Sequence, residues 1–478
     1  MFERRLGIVA TLISLILTAA SAPAQSAAGL DAKETIRARL TEVLTKAPRG
    51  VQVGLAVADC ESGAIWFESG AQTPLKPASV LKLFTTAAAL ERFGPQFVFR
   101  TRLFVADDEL LIIGGGDPGL GDERLAERRG MPVHAEFDAW ANLLKARGVT
   151  HLRAIVLDDS IFDHECRHPE WPADQALAWY QAPLGGINFN DNCLDASFRL
   201  HDGKAELTLR PPLPESFYHN QLRPGKKHAP RLRRAADLDV FEFDGTATRN
   251  GSFGPITVGK PTVFFGYALQ EALLQRGITS DGEVVRRDLV KHMPPNAEPL
   301  DVRTTKLEEV LYRCNTNSQN MFAECLLKSL EAYNPDGTPS GDPGSWAGGT
   351  EVLRHTLEGM GLDLTGAIFR DGSGLGHGNR VTAALIVALL LKMHKHPHAA
   401  LYEASLAQPG KDGTLRTKRW DTPALQDRLR AKTGSISGVY SLAGYITRPD
   451  GTKLAFALLL NDAPRDTLRL PVAEILAE

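Results

Sequence analysis

Ser79 and Lys82, Ser318 with Asn320, and the run Lys432-Thr433-Gly434 are the residues whose types and spacing can do chemistry together. A serine hydroxyl attacks a carbonyl only when a base takes its proton. Three positions along a helical turn share a face, so Ser79 and Lys82 fall within reach of each other. An ordinary lysine titrates near about 10.4; burial and a neighbouring cation, here Lys432, favour the neutral form a base must have. Ser318 adds a hydroxyl that relays a proton, and Asn320 an amide that can bind a peptide group. Lys432 supplies charge at a strand edge, Thr433 can hydrogen-bond a terminal carboxylate, and Gly434 lets substrate backbone lie close. The N–H groups of Ser79, at a helix start, and of Ser435 are the two donors an oxyanion would need. That equipment is for acyl transfer on a peptide that ends in a carboxylate. Each short match alone is cheap, since a serine can simply cap a helix.

The surrounding elements follow from periodicity. Val51, Val53, Leu55 and Val57 alternate with smaller or polar residues, Glu61-Ser62-Gly63 is a turn, and residues 64–67 return as a second strand. Pro77-Ala78 leads into Ser79, after which Leu81, Phe84, Thr85 and Ala88 keep helical spacing. Near the other end, residues 429–431, 439–446 and 454–460 read as strands, the last two joined at Pro449-Asp450-Gly451. Two early strands and three late ones predict a five-stranded antiparallel sheet. Residues 306–330 read as helix broken around Asn315 to Asn320. Between the two halves, strand patterns at 97–111, 154–157, 205–209, 241–244 and 256–258 and a helix at 136–145 carry none of the reactive residues. They predict one or two inserted domains. The organisation expected is 1–24 leader, 25–100 first part of the catalytic domain, 101–300 insertions, and 301–478 the second part.

Arg4 and Arg5 precede an apolar run from Leu6 to Leu17, and Ala22-Pro23-Ala24 offers a small-residue cleavage site. This predicts a cleaved secretory signal and a mature chain outside the cytoplasm, the periplasm in a Gram-negative cell, with or without loose attachment to the membrane. No later stretch has spanning length. With 478 residues, 43% hydrophobic, 23% charged and a net charge of −3, the composition is that of a globular protein and gives no support to nucleic-acid binding. The basic stretch Lys226, Lys227, His228, Arg231, Arg233 and Arg234 reads as a solvated loop or strand edge. The chain has five cysteines, so one stays unpaired; Cys166 and Cys193 could pair, whereas Cys314 and Cys325 lie too far apart on one helix. Gly114-Gly115-Gly116-Asp117-Pro118 lacks a phosphate-loop ending and reads as a turn. His164, Cys166 and His168 lack the company of a metal motif, and no metal or cofactor is expected. Asp371 and Ser373 read as a hydrogen-bonded turn near the site.

The segment Pro77 to Ala88, the run Asn317-Ser318-Gln319-Asn320 with Ala323-Glu324, and Ala431-Lys432-Thr433-Gly434-Ser435 resemble the motifs of penicillin-binding D-alanyl-D-alanine carboxypeptidase/endopeptidases of the low-molecular-mass class C type, peptidase family S13. Further stretches extend the resemblance over nearly all of the mature chain: Gly114 to Pro118, Val156 to Ser160, Asn188 to Asn192, Asp371 to Leu375 and Asp412 to Thr414. Gln319 stands where asparagine is common in the family, and Ser435 where threonine is. The resemblance implies an α/β fold, a serine β-lactamase/transpeptidase-like domain interrupted by two smaller inserted domains. It implies Ser79 as the acylated nucleophile, Lys82 as its base, Ser318 and Asn320 as aids to proton transfer and binding, and Lys432 and Thr433 as carboxylate anchors. Its substrates would be peptidoglycan stem peptides and their cross-links, and β-lactams would be covalent inhibitors. The alternatives are a serine β-lactamase, which needs fast deacylation, and a catalytically silent cell-wall scaffold, which needs none of these side chains.

Overall fold

Leu454, Phe456, Leu458 and Leu460 pack to one side of their strand, and Ala455, Ala457 and Leu459 to the other. A strand apolar on both faces must lie between two layers. The computed structural model, which describes residues 27–234 and 239–478, puts it at the centre of an antiparallel sheet. Strand order is Leu429–Ile436, Val439–Thr447, Lys453–Asn461, Gln52–Asp59 and Ile65–Ser69, with Gln52 opposite Asn461 and Asp59 opposite Leu454. The two early and three late strands therefore join as their alternation predicted. The expected leader, 1–24, lies outside the described residues.

One face of the sheet is covered by helix Arg469–Ala477 and by helix Ala27–Leu44, whose Ile36, Leu40 and Val43 recur at helical spacing. The strand-centred reading of the sequence passed over that first helix. The other face carries Ala383–His394 and, beyond it, Lys82–Phe93, Leu307–Asn315, Asn320–Ala332 and Trp346–Gly359. The expected break in residues 306–330 falls at 316–319, where Ser318 takes φ +62° and Gln319 is extended.

A second, mixed five-stranded sheet has the order Thr279–Arg286, His151–Asp158, Glu109–Ile113, Val98–Ala106 and Glu298–Lys306. Val98 pairs with Lys306, and the Leu307 N–H donates to the Phe97 carbonyl at 3.0 Å. The chain thus leaves the helical layer and re-enters it side by side, the geometry that lets a host domain tolerate a long excursion. Two small sheets, one built on Cys193–His201 and one on Phe241–Ala247, complete the excursion, with helix Pro261–Gln275, which the sequence reading also missed. Arg231 and Arg233 lie on an exposed strand, paired with Asp244 of its neighbour, so much of the basic stretch is neutralised within the protein. All five cysteines are free, so the Cys166–Cys193 pairing left open by the sequence is not made. Among the described residues no helix is long and apolar enough to cross a membrane.

Arg313 ties the excursion to the helical layer. Its Nε and Nη2 donate to Asp122 Oδ2 at 2.9 and 2.7 Å, and Nη2 also donates to Asp191 Oδ2 at 3.0 Å. The Asp122 side chain is fully buried, so removing the cation strands a charge away from water. Arg313→Met should lose about 3–5 kcal/mol of stability. Urea unfolding checks this, and an unchanged midpoint contradicts it.

Candidate active site

Ser79 lies in a short 3-10 turn, Ala78–Leu81, and Lys82 opens the α-helix that follows. The sequence reading put Ser79 at the start of the helix itself. In a 3-10 turn the side chains of residues three apart eclipse, which brings Lys82 Nζ to 3.1 Å from Ser79 Oγ. The turn is strained, because Ala78 has φ +47°, a left-handed conformation that costs a residue with a Cβ roughly 1–2 kcal/mol. Neighbours hold it there. A Cβ on Gly374 would stand 2.0 Å from the Ala78 carbonyl oxygen, and one on Gly434 would stand 2.1 Å from Ser441 Oγ and 3.0 Å from the Ser79 nitrogen. Ser441 Oγ in turn donates to the Pro77 carbonyl at 2.6 Å. Gly434 is therefore required by the close approach of its own strand to the serine turn.

Lys82 is fully buried, with Asn320 Oδ1 at 2.6 Å and the Ser373 carbonyl at 2.9 Å. The Asn320 amide is oriented by its Nδ2, which donates to the Tyr180 carbonyl at 2.7 Å. The amide thus holds Lys82 with one end and is anchored by the other. A neutral amine has two hydrogens and one lone pair. The two fixed acceptors take the hydrogens, so the lone pair is left for the Ser79 hydroxyl to donate into. Burial pushes Lys82 down to about 8, against the opposing pull of Cys314, Glu324 and Asp371. Lys432, also fully buried, is held well below the usual lysine range by burial and then by the Lys82 charge. Its Nζ donates to Ser318 Oγ at 2.8 Å and to the Thr433 carbonyl at 2.6 Å.

The Ser373 carbonyl is aimed by a buried carboxylate network. Glu324 accepts from the Gly372 and Ser373 N–H groups, each at 2.9 Å, and from Trp346 Nε1 at 2.8 Å. Burial, and then the charge of Asp371, push Glu324 up to about 7. Asp371 accepts from Gly374 N at 2.8 Å, Gly376 N at 2.6 Å and Trp171 Nε1 at 3.1 Å. The turn read at Asp371 and Ser373 is thus a support for the Lys82 amine.

Leu429–Ile436 is an edge strand, and its Ala431 turns N–H and C=O outward to pair with Ala407 at 3.1 and 3.2 Å. Backbone direction alternates along an antiparallel strand, so the N–H and C=O of Thr433 and Ser435 face outward as well. The Ser79 N–H belongs to the first turn, whose donors have no partner within the helix. Ser79, Ser318, Thr414, Thr433, Ser435 and Arg469 line one cavity of ≈ 260 Å³. Thr433 Oγ1 donates to Thr414 Oγ1 at 2.8 Å. Arg469 Nη1 donates to the Gly434 carbonyl at 3.1 Å and to Ser435 Oγ at 3.3 Å. Ser79, Lys82, Ser318, Asn320 and Lys432 are thereby brought together. The Ser373 carbonyl, Glu324, Thr414 and Arg469 complete the site without having been assigned a role. The first three fall in stretches that carry the resemblance, whereas nothing in the sequence marks Arg469. Among the described residues no group of three or more His, Cys, Asp or Glu is arranged to hold a metal ion.

The model of the D-Ala-D-Ala carboxypeptidase 3 (S13) family matches residues 36–478. A D-alanyl-D-alanine carboxypeptidase of Actinomadura sp. (strain R39) is 29% identical over 94% of this chain and 85% of its own. D-alanyl-D-alanine carboxypeptidase DacB of Haemophilus influenzae is 25% identical over 91% of each chain. The crystal structure of penicillin binding protein 4 from Haemophilus influenzae superposes with a TM-score of 0.73 at 23% identity, covering 91% of this chain and 97% of that one, which is a likeness of α/β fold.

Only the neutral Lys82 amine accepts a proton, and its share grows as pH rises toward and past about 8. Modification of Ser79 by a small acylating reagent should therefore speed up with pH and level off above about 8; a rate flat from about pH 6 to about pH 9 contradicts this. Gly434→Ala displaces the serine turn and should slow the same reaction about a hundredfold at any pH. A rate within twofold of the unaltered protein in stopped-flow mixing contradicts that reading of the glycine.

Proposed function

The chain belongs to the D-Ala-D-Ala carboxypeptidase 3 (S13) family, and from that premise we propose a serine D-Ala-D-Ala carboxypeptidase that also cuts peptide cross-links. The observation that carries this is the Lys82 amine, 3.1 Å from Ser79 Oγ and held by two oxygens that leave its lone pair to the serine. Ser79 Oγ attacks the carbonyl carbon of the penultimate D-alanine while its proton passes to Lys82. The oxyanion is met by the Ser79 and Ser435 N–H groups, fixed in place before the charge develops. The C–N bond breaks, and the leaving nitrogen takes the proton that Lys82 received, relayed by the Ser318 hydroxyl, to which Lys432 donates at 2.8 Å; Lys82 is neutral again. Water then adds to the ester with Lys82 as base, and Ser79 recovers its proton as the stem peptide leaves.

The terminal carboxylate is anchored by the Thr433 and Thr414 hydroxyls, in the field of Lys432 and Arg469. Thr433, Gly434 and Ser435 offer the substrate a strand edge to pair with. A β-lactam forms the same ester with Ser79 and is held because water removes it slowly. In this reading residues 25–100 and 301–478 are a transpeptidase-like catalytic domain and 101–300 its two insertions. The protein works on peptidoglycan in the periplasm after its leader is removed.

Incubation of the exported protein with labelled penicillin should give a long-lived adduct on Ser79 by mass spectrometry, on a chain beginning at Gln25. Pentapeptide should lose D-alanine, and Ser79→Ala should abolish both reactions. Rapid penicillin turnover without D-alanine release would mean a β-lactamase, and absence of any adduct a scaffold; either overturns the proposal.

A further inference from the structure

A pocket of ≈ 420 Å³ that shares no lining residue with the reactive cavity lies at the far end of helix Asn320–Ala332. Asn320 opens that helix beside Lys82, and Tyr333 follows its last residue, so the two ends stand roughly 20 Å apart. One wall is the outer face of strand Val98–Ala106, where Val98, Arg100 and Arg102 alternate with the buried Phe99, Thr101 and Leu103. A second wall is Tyr333 and the turn after it, in which the Asn334 N–H donates to the Thr338 carbonyl at 2.8 Å. Tyr333 Oη donates to the Gly115 carbonyl at 2.8 Å. A Cβ on Gly115 would stand 2.8 Å from that hydroxyl and 2.4 Å from the Arg100 carbonyl, so the glycine run lets the tyrosine wall close on the sheet. The Gly344 N–H donates to the Ile161 carbonyl at 2.9 Å and ties the same segment to the excursion. The pocket is thus formed before anything enters it.

Val98, Ile113, Ile161, Tyr333 and Pro339 give the pocket an apolar lining, and Val290, which also lines it, is 65% exposed. Two guanidiniums stand against that lining. Arg100 and Arg102 are exposed, and neither makes an ion pair among the described residues; Arg100 donates only to the Val98 carbonyl, at 3.3 Å. Two apart on a strand, they project from one face. Burial raises the Tyr333 hydroxyl above the usual tyrosine range, and the charges of Arg102 and Arg100 oppose it, so both cations act on this wall. Asp342 is the single carboxylate on the lining, which leaves an excess of positive charge. We propose that the pocket binds an organic anion with a hydrocarbon body, a medium-chain fatty carboxylate. Its chain lies against Val98, Ile113, Ile161 and Val290, and its carboxylate accepts N–H bonds from Arg100 and Arg102. A cationic ligand is repelled by the arginines, and a small inorganic anion leaves the apolar walls in water. The binding does not depend on the reaction at Ser79.

Isothermal titration of the full chain with decanoate, below its micelle concentration, is compared with decanol and with propionate. Decanoate should saturate one site. Decanol lacks the charge and propionate lacks the body, so each should bind at least about tenfold more weakly. Arg100→Gln and Arg102→Gln should each weaken decanoate about tenfold, the worth of one charge-assisted hydrogen bond, with the urea midpoint unchanged. Val290→Glu, at an exposed position, should weaken it as well by setting like charge beside the ligand, and it decides the matter if an arginine variant fails to fold. Absence of decanoate binding, equal affinity for decanol or propionate, or folded variants that bind decanoate as the unaltered protein does overturns the proposal.

Discussion

A lysine amine enclosed by protein, with three oxygens within 3.1 Å, is the constraint on which the remainder of the structure depends. Burying an ammonium costs several kcal/mol unless it is matched by nearby negative charge. Here the nearest acceptors are a neutral amide and a backbone carbonyl, and a second buried lysine lies close enough to repel it. Glu324 and Asp371 pull the other way, but their oxygens are engaged by backbone and tryptophan N–H groups. The balance brings Lys82 down to about 8, so that a share of the amine is neutral around that pH, the state that can accept a proton from the hydroxyl beside it.

The geometry around that amine is expensive, and the fold supplies it from distant parts of the chain. Ala78 and Ser318 both hold left-handed backbones that a residue with a side chain avoids. Gly374 and Gly434 let a loop and a strand press against the serine turn where a single methyl would collide. Tyr180, from the excursion, fixes the Asn320 amide, and Arg313 binds Asp122 and Asp191 from the same region. The excursion is therefore joined to the reactive centre by hydrogen bonds, and its Asp191 and Trp179 shape the space next to it.

Side chains and periodicity made much of this legible. Serine and lysine three apart, strands alternating at 51–57 and 439–446, and polar residues interrupting a helix at 315–320 each dictate a local structure. What stayed hidden follows a physical pattern. The Ser373 and Tyr180 carbonyls are backbone atoms, which every residue has, so no residue type marks them. Arg469 reaches the cavity from a helix on the far face of the sheet, through packing that spacing does not encode. The helix Pro261–Gln275 is apolar nearly all round and shows little amphipathic contrast to read. Whether Cys166 and Cys193 pair was open in the sequence, because pairing depends on distance in space; both are free.

The most direct test of the central claim is the ionisation of Lys82 itself, followed by NMR in protein labelled with ¹³C at the lysine ε-carbon and assigned by loss of the signal in Lys82→Arg. A midpoint near about 8 is expected of an amine buried beside a second lysine and available as a base. A midpoint at the ordinary lysine value of about 10.4 would mean an ammonium that donates to Ser79 instead of activating it, and would contradict the account.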